Sequence, residues 1–390
     1  MYCGEARMKR LAKKLGHSIF GQTLAKMLVR RAPAGRINKF LISGYTGLGH
    51  FVLKTVLIRK IEELYPGCRV YIIAGNSFGS EHVLHSYPIM ILKQDSGALT
   101  KLIFFLKLRK EKFDAVFFPF DASPKFLIRG SIAAGIPIRV GHVFDHIPMP
   151  SYYYTIKVPV IRREVRSEID MNLDLLQALY GKPFQRDYRP FVEMDGEIGI
   201  LEANGLQKNT YICLQMGASN GLPSPKRWLE GNFRELIVKL LDSYPHLGIV
   251  ALGDKGDSPI VNRICDGIES ERLKNLSGKI SLDETKKLIS DCRFLICHDS
   301  GLLHLGNALQ KQVIAIYGPS NPDFYALSLS TCHVLRKPCD CTPLLGLFPG
   351  MLSEPTEAEV ALKCPVPRCM ERLTVDEVYT KCAELLQEGR

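Results

Sequence analysis

Residues 294–308 read Phe294-Leu295-Ile296-Cys297-His298-Asp299-Ser300-Gly301-Leu302-Leu303-His304-Leu305-Gly306-Asn307-Ala308. Four consecutive apolar residues, too few for a helix, run into His-Asp-Ser-Gly and then into leucines spaced along a helical face. A short unbroken apolar run followed at once by a helix is the strand–turn–helix unit of a parallel sheet buried on both faces. In such a unit the first amides of the helix lack helical partners and carry the positive end of its dipole, so Ser300 and Gly301 are placed to meet an anion. Asp299 can cap the helix or grip sugar hydroxyls, and His304 lies one turn further on the same face. One strand later, Gly318-Pro319-Ser320-Asn321-Pro322 makes a rigid loop at the same sheet edge.

The same alternation extends outward in both directions. Strands are expected at 211–214, 248–252, 273–276 and 313–317, with helices at 228–241, 260–268, 282–290 and 302–309 between them. An earlier series has strands at 40–43, 70–74, 89–92 and 115–118 and helices at 51–64, 99–108 and 124–134. From about 141 to 194 the pattern weakens, leaving one helical stretch at 167–179. Two such series predict an α/β chain with two parallel-sheet domains facing each other across a cleft. The expected division is a basic arm at 1–36, a first domain at 37–194 and a second at 195–390. Ligands in these folds bind outside the carboxyl ends of the strands, beside helix starts.

Composition narrows the function classes. The 390 residues carry 46% hydrophobic and 23% charged side chains, ordinary globular values that exclude a low-complexity chain. The most apolar windows, such as 102–108, are interrupted by Lys and Arg, which excludes a bilayer span. Net charge is +11, and residues 1–37 hold nine Lys or Arg against the single acid Glu5. Met8, Leu11, Leu15 and Ile19 share one helical face there, so the arm can lie on an anionic inner-membrane surface or dock on its own domain. No signal peptide is recognised, and a cytoplasmic protein, peripheral on the membrane at most, is expected. The charge sits in a terminal arm with no zinc finger or RNA-recognition signature, so no nucleic-acid partner is expected.

Three further stretches carry chemistry. Gly44-Tyr45-Thr46-Gly47-Leu48-Gly49-His50 follows the first strand and opens a helix; Gly47 and Gly49 let the backbone approach a ligand, although a tight turn alone also calls for glycine. Ser224-Pro225-Lys226-Arg227-Trp228 places the only Trp at a helix start beside Lys226, which can neutralise a phosphate or be a surface cation on a capping loop. Gly253-Asp254-Lys255-Gly256-Asp257 follows a strand, where either Asp254 or Asp257 can hold ribose hydroxyls, or both can simply form the turn. Twelve cysteines fit reduced thiols; Cys68, Cys213, Cys292 and Cys297 fall in apolar runs and are expected buried. Cys339, Cys341, Cys364 and Cys369 can ligate a metal tetrahedrally, though C-x-C with C-x4-C is not a standard knuckle spacing, and no metal is assigned.

With Asp299-Ser300-Gly301-Leu302-Leu303-His304, Gly318-Pro319-Ser320-Asn321-Pro322 and Lys226-Arg227-Trp228, and with Cys369-Met370 near the end, residues about 38–385 resemble glycosyltransferase family 9, the ADP-heptose:lipopolysaccharide heptosyltransferases. The resemblance implies a GT-B fold of two Rossmann-like domains, with the acceptor on the first and the sugar nucleotide on the second. It implies a donor-phosphate role for Lys226, a ribose-holding acid at Asp257, a donor-sugar contact at Asp299 and a pyrophosphate-binding turn at Ser300, Gly301 and His304. It also implies inverting transfer without an obligatory metal or cofactor, the acceptor being a lipopolysaccharide core or related glycan.

One position departs from the family pattern: Gly-Asp at the first helix start is here Gly49-His50. An imidazole, with an ordinary pKa of ~6.5, serves as a base near neutrality. Asp121, after the strand at 115–118, is a second base candidate facing the same cleft. The histidine leaves open a catalytically silent sugar-nucleotide binder, and another nucleotide sugar or a protein acceptor on the same fold are further alternatives.

Overall fold

The structure, a computed structural model, describes residues 35–75, 80–119, 124–144, 150, 152–160, 166–196, 198–218, 224–325, 329–339 and 368–388. The basic arm up to residue 34, Asp121, Cys341 and Cys364 lie outside the described residues.

The first half alternates β1 (Lys39–Ser43), α1 (Leu48–Leu64), β2 (Arg69–Ala74), β3 (Ile89–Ile91), α2 (Ala98–Lys110), β4 (Ala115–Phe118), α3 (Lys125–Ala133), β5 (Ile138–Phe144), β6 (Ile156–Val160) and α4 (Glu168–Tyr180). Its six strands are all parallel, in the order β3-β2-β1-β4-β5-β6. The second half runs β7 (Tyr211–Gln215), α5 (Glu230–Ser243), β8 (Gly248–Leu252), α6 (Ser258–Cys265), β9 (Leu273–Asn275), α7 (Leu282–Asp291), β10 (Phe294–His298), α8 (Gly301–Ala308), β11 (Gln312–Tyr317), β12 (Cys332–Arg336) and α9 (Val375–Glu388). Its order is β12-β11-β10-β7-β8-β9, so with strands counted from β7 it repeats the winding of the first sheet. Both are doubly wound Rossmann-like sheets.

The apolar runs explain the layers. Central strands such as β4, β7 and β10 are buried at every residue, as a parallel sheet covered on both faces demands. One face of the first sheet packs under α1 and α4 around Phe51, Leu57, Leu175 and Leu176; the other packs under α2 and α3 around Phe105, Leu108, Leu127 and Ile128. In the second half, α5, α6 and α9 cover one face and α7 and α8 the other.

The stretch where the sequence pattern weakens holds part of β5 and all of β6. In β6, Ile156-Lys157-Val158-Pro159-Val160 alternates half-buried and exposed residues. Among the described residues it pairs only with β5, and an edge strand tolerates Pro159, which has no N–H to donate. Arg139, Gly141 and His142 break the apolar run of β5, although Arg139 and His142 are buried. Cys213, Cys292 and Cys297 are buried as expected, but Cys68 is only half-buried.

The two halves touch where α1 and α8 begin. A Cβ on Gly49 would fall 2.6 Å from the His304 ring, and one on Gly301 would fall 3.3 Å from Leu48 Cβ. A second bridge is Lys286 of α7, 1% exposed at its side chain, whose ammonium donates to the carbonyls of His82 and Glu193 and pairs with Asp283 at 2.7 Å.

Candidate active site

Strand order reverses between β1 and β4 in one sheet and between β7 and β10 in the other, and these switch points open the crevices where ligands sit. The glycine loop leaves β1, the Gly217 segment leaves β7, and Asp299 leaves β10. All three therefore lie at the carboxyl edge of a switch point.

On the first half, α1 opens at Leu48 with Gly47 as its N-cap, placing His50 in the first turn. His50 Nδ1 lies 2.5 Å from Glu168 Oε2. The Glu168 side chain is fully buried while that of His50 is 27% exposed, so the pair runs from the core to the cleft. Glu168 is held there because α4 begins at that residue: Ser167 is the N-cap and its hydroxyl accepts from the Asp170 amide at 3.1 Å. With the imidazole proton on Nδ1 and shared with Glu168, the lone pair of His50 resides on Nε2.

On the second half, Lys226 Nζ and Asp299 Oδ2 form an ion pair at 3.0 Å. Burial works against ionisation of Asp299, yet Lys226 and the Ser320 hydroxyl beside it hold its carboxyl below the ordinary value. The lysine is fixed by its neighbours. The Trp228 amide donates to His298 Nε2 at 2.9 Å, and His298 Nδ1 stands 3.1 Å from the Gly217 carbonyl, an acceptor. These two bonds set one neutral tautomer of His298, and burial pushes its pKa down to about 4. The Trp228 indole donates to the Leu373 carbonyl at 2.9 Å and packs edge-on against Phe233. Trp228 thus anchors the loop in the core; the helix itself starts two residues later, at Glu230, which corrects the expectation that Trp228 opens it.

Ser300 is the N-cap of α8, but its hydroxyl donates to Gln215 Oε1 at 3.0 Å instead of capping the helix. The cap side chain therefore leaves the opening amides to other partners. Asp257, the N-cap residue of α6 and 5% exposed, lies against Gly217: a Cβ there would fall 1.9 Å from its carboxyl carbon and would force the Asp257 side chain to shift.

His304 joins the two halves. Its imidazole is buried, with its pKa pushed down to about 4 by burial, and it interacts electrostatically with Asp299, His50 and Lys226. Of the residues singled out in the sequence, Gly47, Gly49, His50, Lys226, Asp299, Ser300, Gly301 and His304 converge here, and Asp257 borders them through Gly217. Gly49 and Gly301 are also spacers where α1 and α8 meet, since a Cβ at either would crowd the other helix. Sequence reasoning missed Glu168, His298 and Gln215. His298 stands beside the aspartate of the quoted motif, whereas an acid in a helix's first turn, as at Glu168, carries no special signal. Among the described residues no cluster of His, Cys, Asp or Glu is arranged to hold a metal.

The family model for glycosyltransferase family 9 (heptosyltransferase) matches residues 132–345. Lipopolysaccharide heptosyltransferase 2 of Escherichia coli K12 is 31% identical over 143 residues, 33% of this chain and 40% of that protein. Lipopolysaccharide heptosyltransferase 1 of Pseudomonas aeruginosa is 27% identical over 165 residues, 41% of this chain and 44% of that one. These matches span less than half the length of either relative. Among solved structures, E. coli ADP-heptose lipopolysaccharide heptosyltransferase II superposes with a TM-score of 0.70 at 22% identity, covering 90% of this chain and all of that one. The family 9 glycosyl transferase of Veillonella parvula gives 0.74 at 17% identity, with 92% and 100% coverage. These likenesses establish the GT-B fold.

Proposed function

This chain belongs to glycosyltransferase family 9, and from that membership we propose that it transfers heptose from ADP-heptose, with inversion, onto a lipopolysaccharide core or related glycan. The relatives named above are heptosyltransferases, which supports the donor and acceptor class. The observation that carries the reading is the convergence at His304: an imidazole–carboxylate pair from one half meets a lysine–aspartate pair and a helix start from the other.

In this mechanism His50 Nε2 removes the acceptor hydroxyl proton as the oxygen attacks the anomeric carbon. The bond from that carbon to the diphosphate breaks, and the leaving group takes the electron pair. Lys226 and the amides at the start of α8 stabilise its charge, with no metal required for the step. Asp299 holds Lys226 until donor phosphate replaces it, then contacts the donor sugar, while Asp257 holds the ribose. Glu168 is a positioning residue that fixes the His50 tautomer and stabilises the imidazolium, the logic of a base oriented by a buried carboxylate. That pair favours a working base over a silent binder, in place of the aspartate that the family resemblance leads one to expect.

The decisive test is a donor screen on purified protein with truncated lipopolysaccharide acceptors, read by product mass spectrometry in buffer with EDTA. Transfer from ADP-heptose is expected. Preferential transfer from, and stabilisation by, a uridine nucleotide sugar would remove the heptosyl reading.

A further inference from the structure

Helix α2 is apolar on both sides. Phe105 and Leu108 enter the core, yet Leu99, Leu102, Ile103 and Leu106 point outward, 70%, 52%, 45% and 52% exposed. Their i, i+3, i+4, i+7 spacing makes one continuous stripe two turns long. Solvent does not favour such a stripe, and one flanked by charge marks a docking face.

The flanking charge is mostly basic. Residues 93–112 hold six Lys or Arg against Asp95 and Glu111. Glu111 is already engaged by Lys39 at 2.6 Å. Lys107 and Lys110 are exposed beside the stripe, with no ion-pair partner among the described residues. A second copy of this chain would bring two basic faces together, which like-charge repulsion opposes.

We propose that the outer face of α2 docks on an anionic phospholipid bilayer, with Leu99, Leu102, Ile103 and Leu106 entering the interface and Lys107 and Lys110 meeting lipid phosphates. A basic helix with an apolar face binds membranes in this way, lying in the interface plane. The placement is coupled to the cleft. The Tyr45 hydroxyl, in the glycine loop, donates to the Leu92 carbonyl ahead of α2. Tyr45 also packs edge-on against Phe126, whose ring lies under the Lys101 ammonium at 4.4 Å. Docking α2 therefore sets the first switch point beside the membrane surface, where a lipid-anchored acceptor resides.

The experiment is co-sedimentation of the full chain with vesicles of phosphatidylglycerol and phosphatidylethanolamine, against vesicles of phosphatidylcholine alone. Binding is expected to the anionic vesicles, weakening with salt. The exposed substitutions Leu102→Gln/Leu106→Gln and Lys107→Gln/Lys110→Gln should each lower it by about tenfold or more. Thermal midpoint and transfer to a water-soluble acceptor fragment should stay as in the parent. Undiminished vesicle binding in both variants would overturn the proposal and leave the arm at 1–36 as the contact. So would a parent that binds no vesicles, or a parent dimer that Leu102→Gln/Leu106→Gln turns into monomers without changing vesicle binding.

Discussion

His50 and Glu168 stand 118 positions apart in the chain and meet at 2.5 Å, the carboxylate wholly buried and the imidazole at the cleft. The pairing couples the start of α1 to the start of α4, and it gives the first half an imidazole with a defined tautomer at the cleft. If His50 is the base, His50→Ala should lower kcat by about 10²–10⁴-fold with little change in the KM for donor. Glu168→Gln keeps the shape and removes the anion; kcat should fall by about tenfold or more, with the pH–rate profile displaced, whereas Glu168→Asp should restore part of the rate. Full activity in His50→Ala would remove it from the mechanism.

The Lys226–Asp299 pair predicts an asymmetry between its partners. Lys226→Met leaves a buried carboxylate unpaired, which costs about 3–5 kcal/mol of stability. Asp299→Asn leaves only a lysine with a path to solvent, so the loss should be smaller. Urea unfolding should rank them in that order, with the double variant less destabilised than Lys226→Met alone. If Lys226 is the cation of the leaving diphosphate, donor turnover should fall by about 10²-fold or more in Lys226→Met.

The crossing of α1 and α8 predicts unequal costs for two alanines. Gly49→Ala puts a Cβ 2.6 Å from the buried His304 ring, so the ring or the helices around it must shift. Gly301→Ala meets Leu48 at 3.2 Å, close enough to be relieved by a small shift of a flexible side chain. Thermal midpoint and donor affinity should drop more in Gly49→Ala, and equal effects would contradict a fixed contact between the halves.

Acid stability follows from three buried histidines. His142, His298 and His304 are each pushed down to about 4 by burial. In the unfolded chain they regain about 6.5, so between those values the unfolded state binds more protons and stability rises with pH. Stability is fully present above about 6.5 and should fall by about 4 kcal/mol per pH unit across the middle of the window, if all three respond independently. Urea unfolding at pH 5 and pH 7 measures the difference. His142→Leu, which removes one titrating group away from the candidate site, should reduce that slope by about a third.

The alternation of short apolar runs with amphipathic helices was enough to give two parallel sheets, because a strand covered on both faces must be apolar at nearly every residue, as β4, β7 and β10 are. The strand-end segments that carry Gly49, Lys226 and Asp299 stood out in the sequence, since glycine, lysine and aspartate there suit a ligand as well as a turn or a helix cap. Strand β6 was not, because an edge strand needs only half of its residues buried and accepts a proline. Periodicity marked α2 as apolar but not which of its apolar residues would stay uncovered, for exposure depends on what the rest of the chain packs against. Nor does any local pattern distinguish Glu168 from other acids in a first turn. Folding places α4 against α1 and buries that one carboxylate behind His50. The sequence by itself therefore determined the layers and the glycine- and charge-bearing segments at the strand ends, which follow from local burial and backbone freedom. The tertiary structure alone decided which distant residues pair across them, because those pairings arise only when separate elements pack.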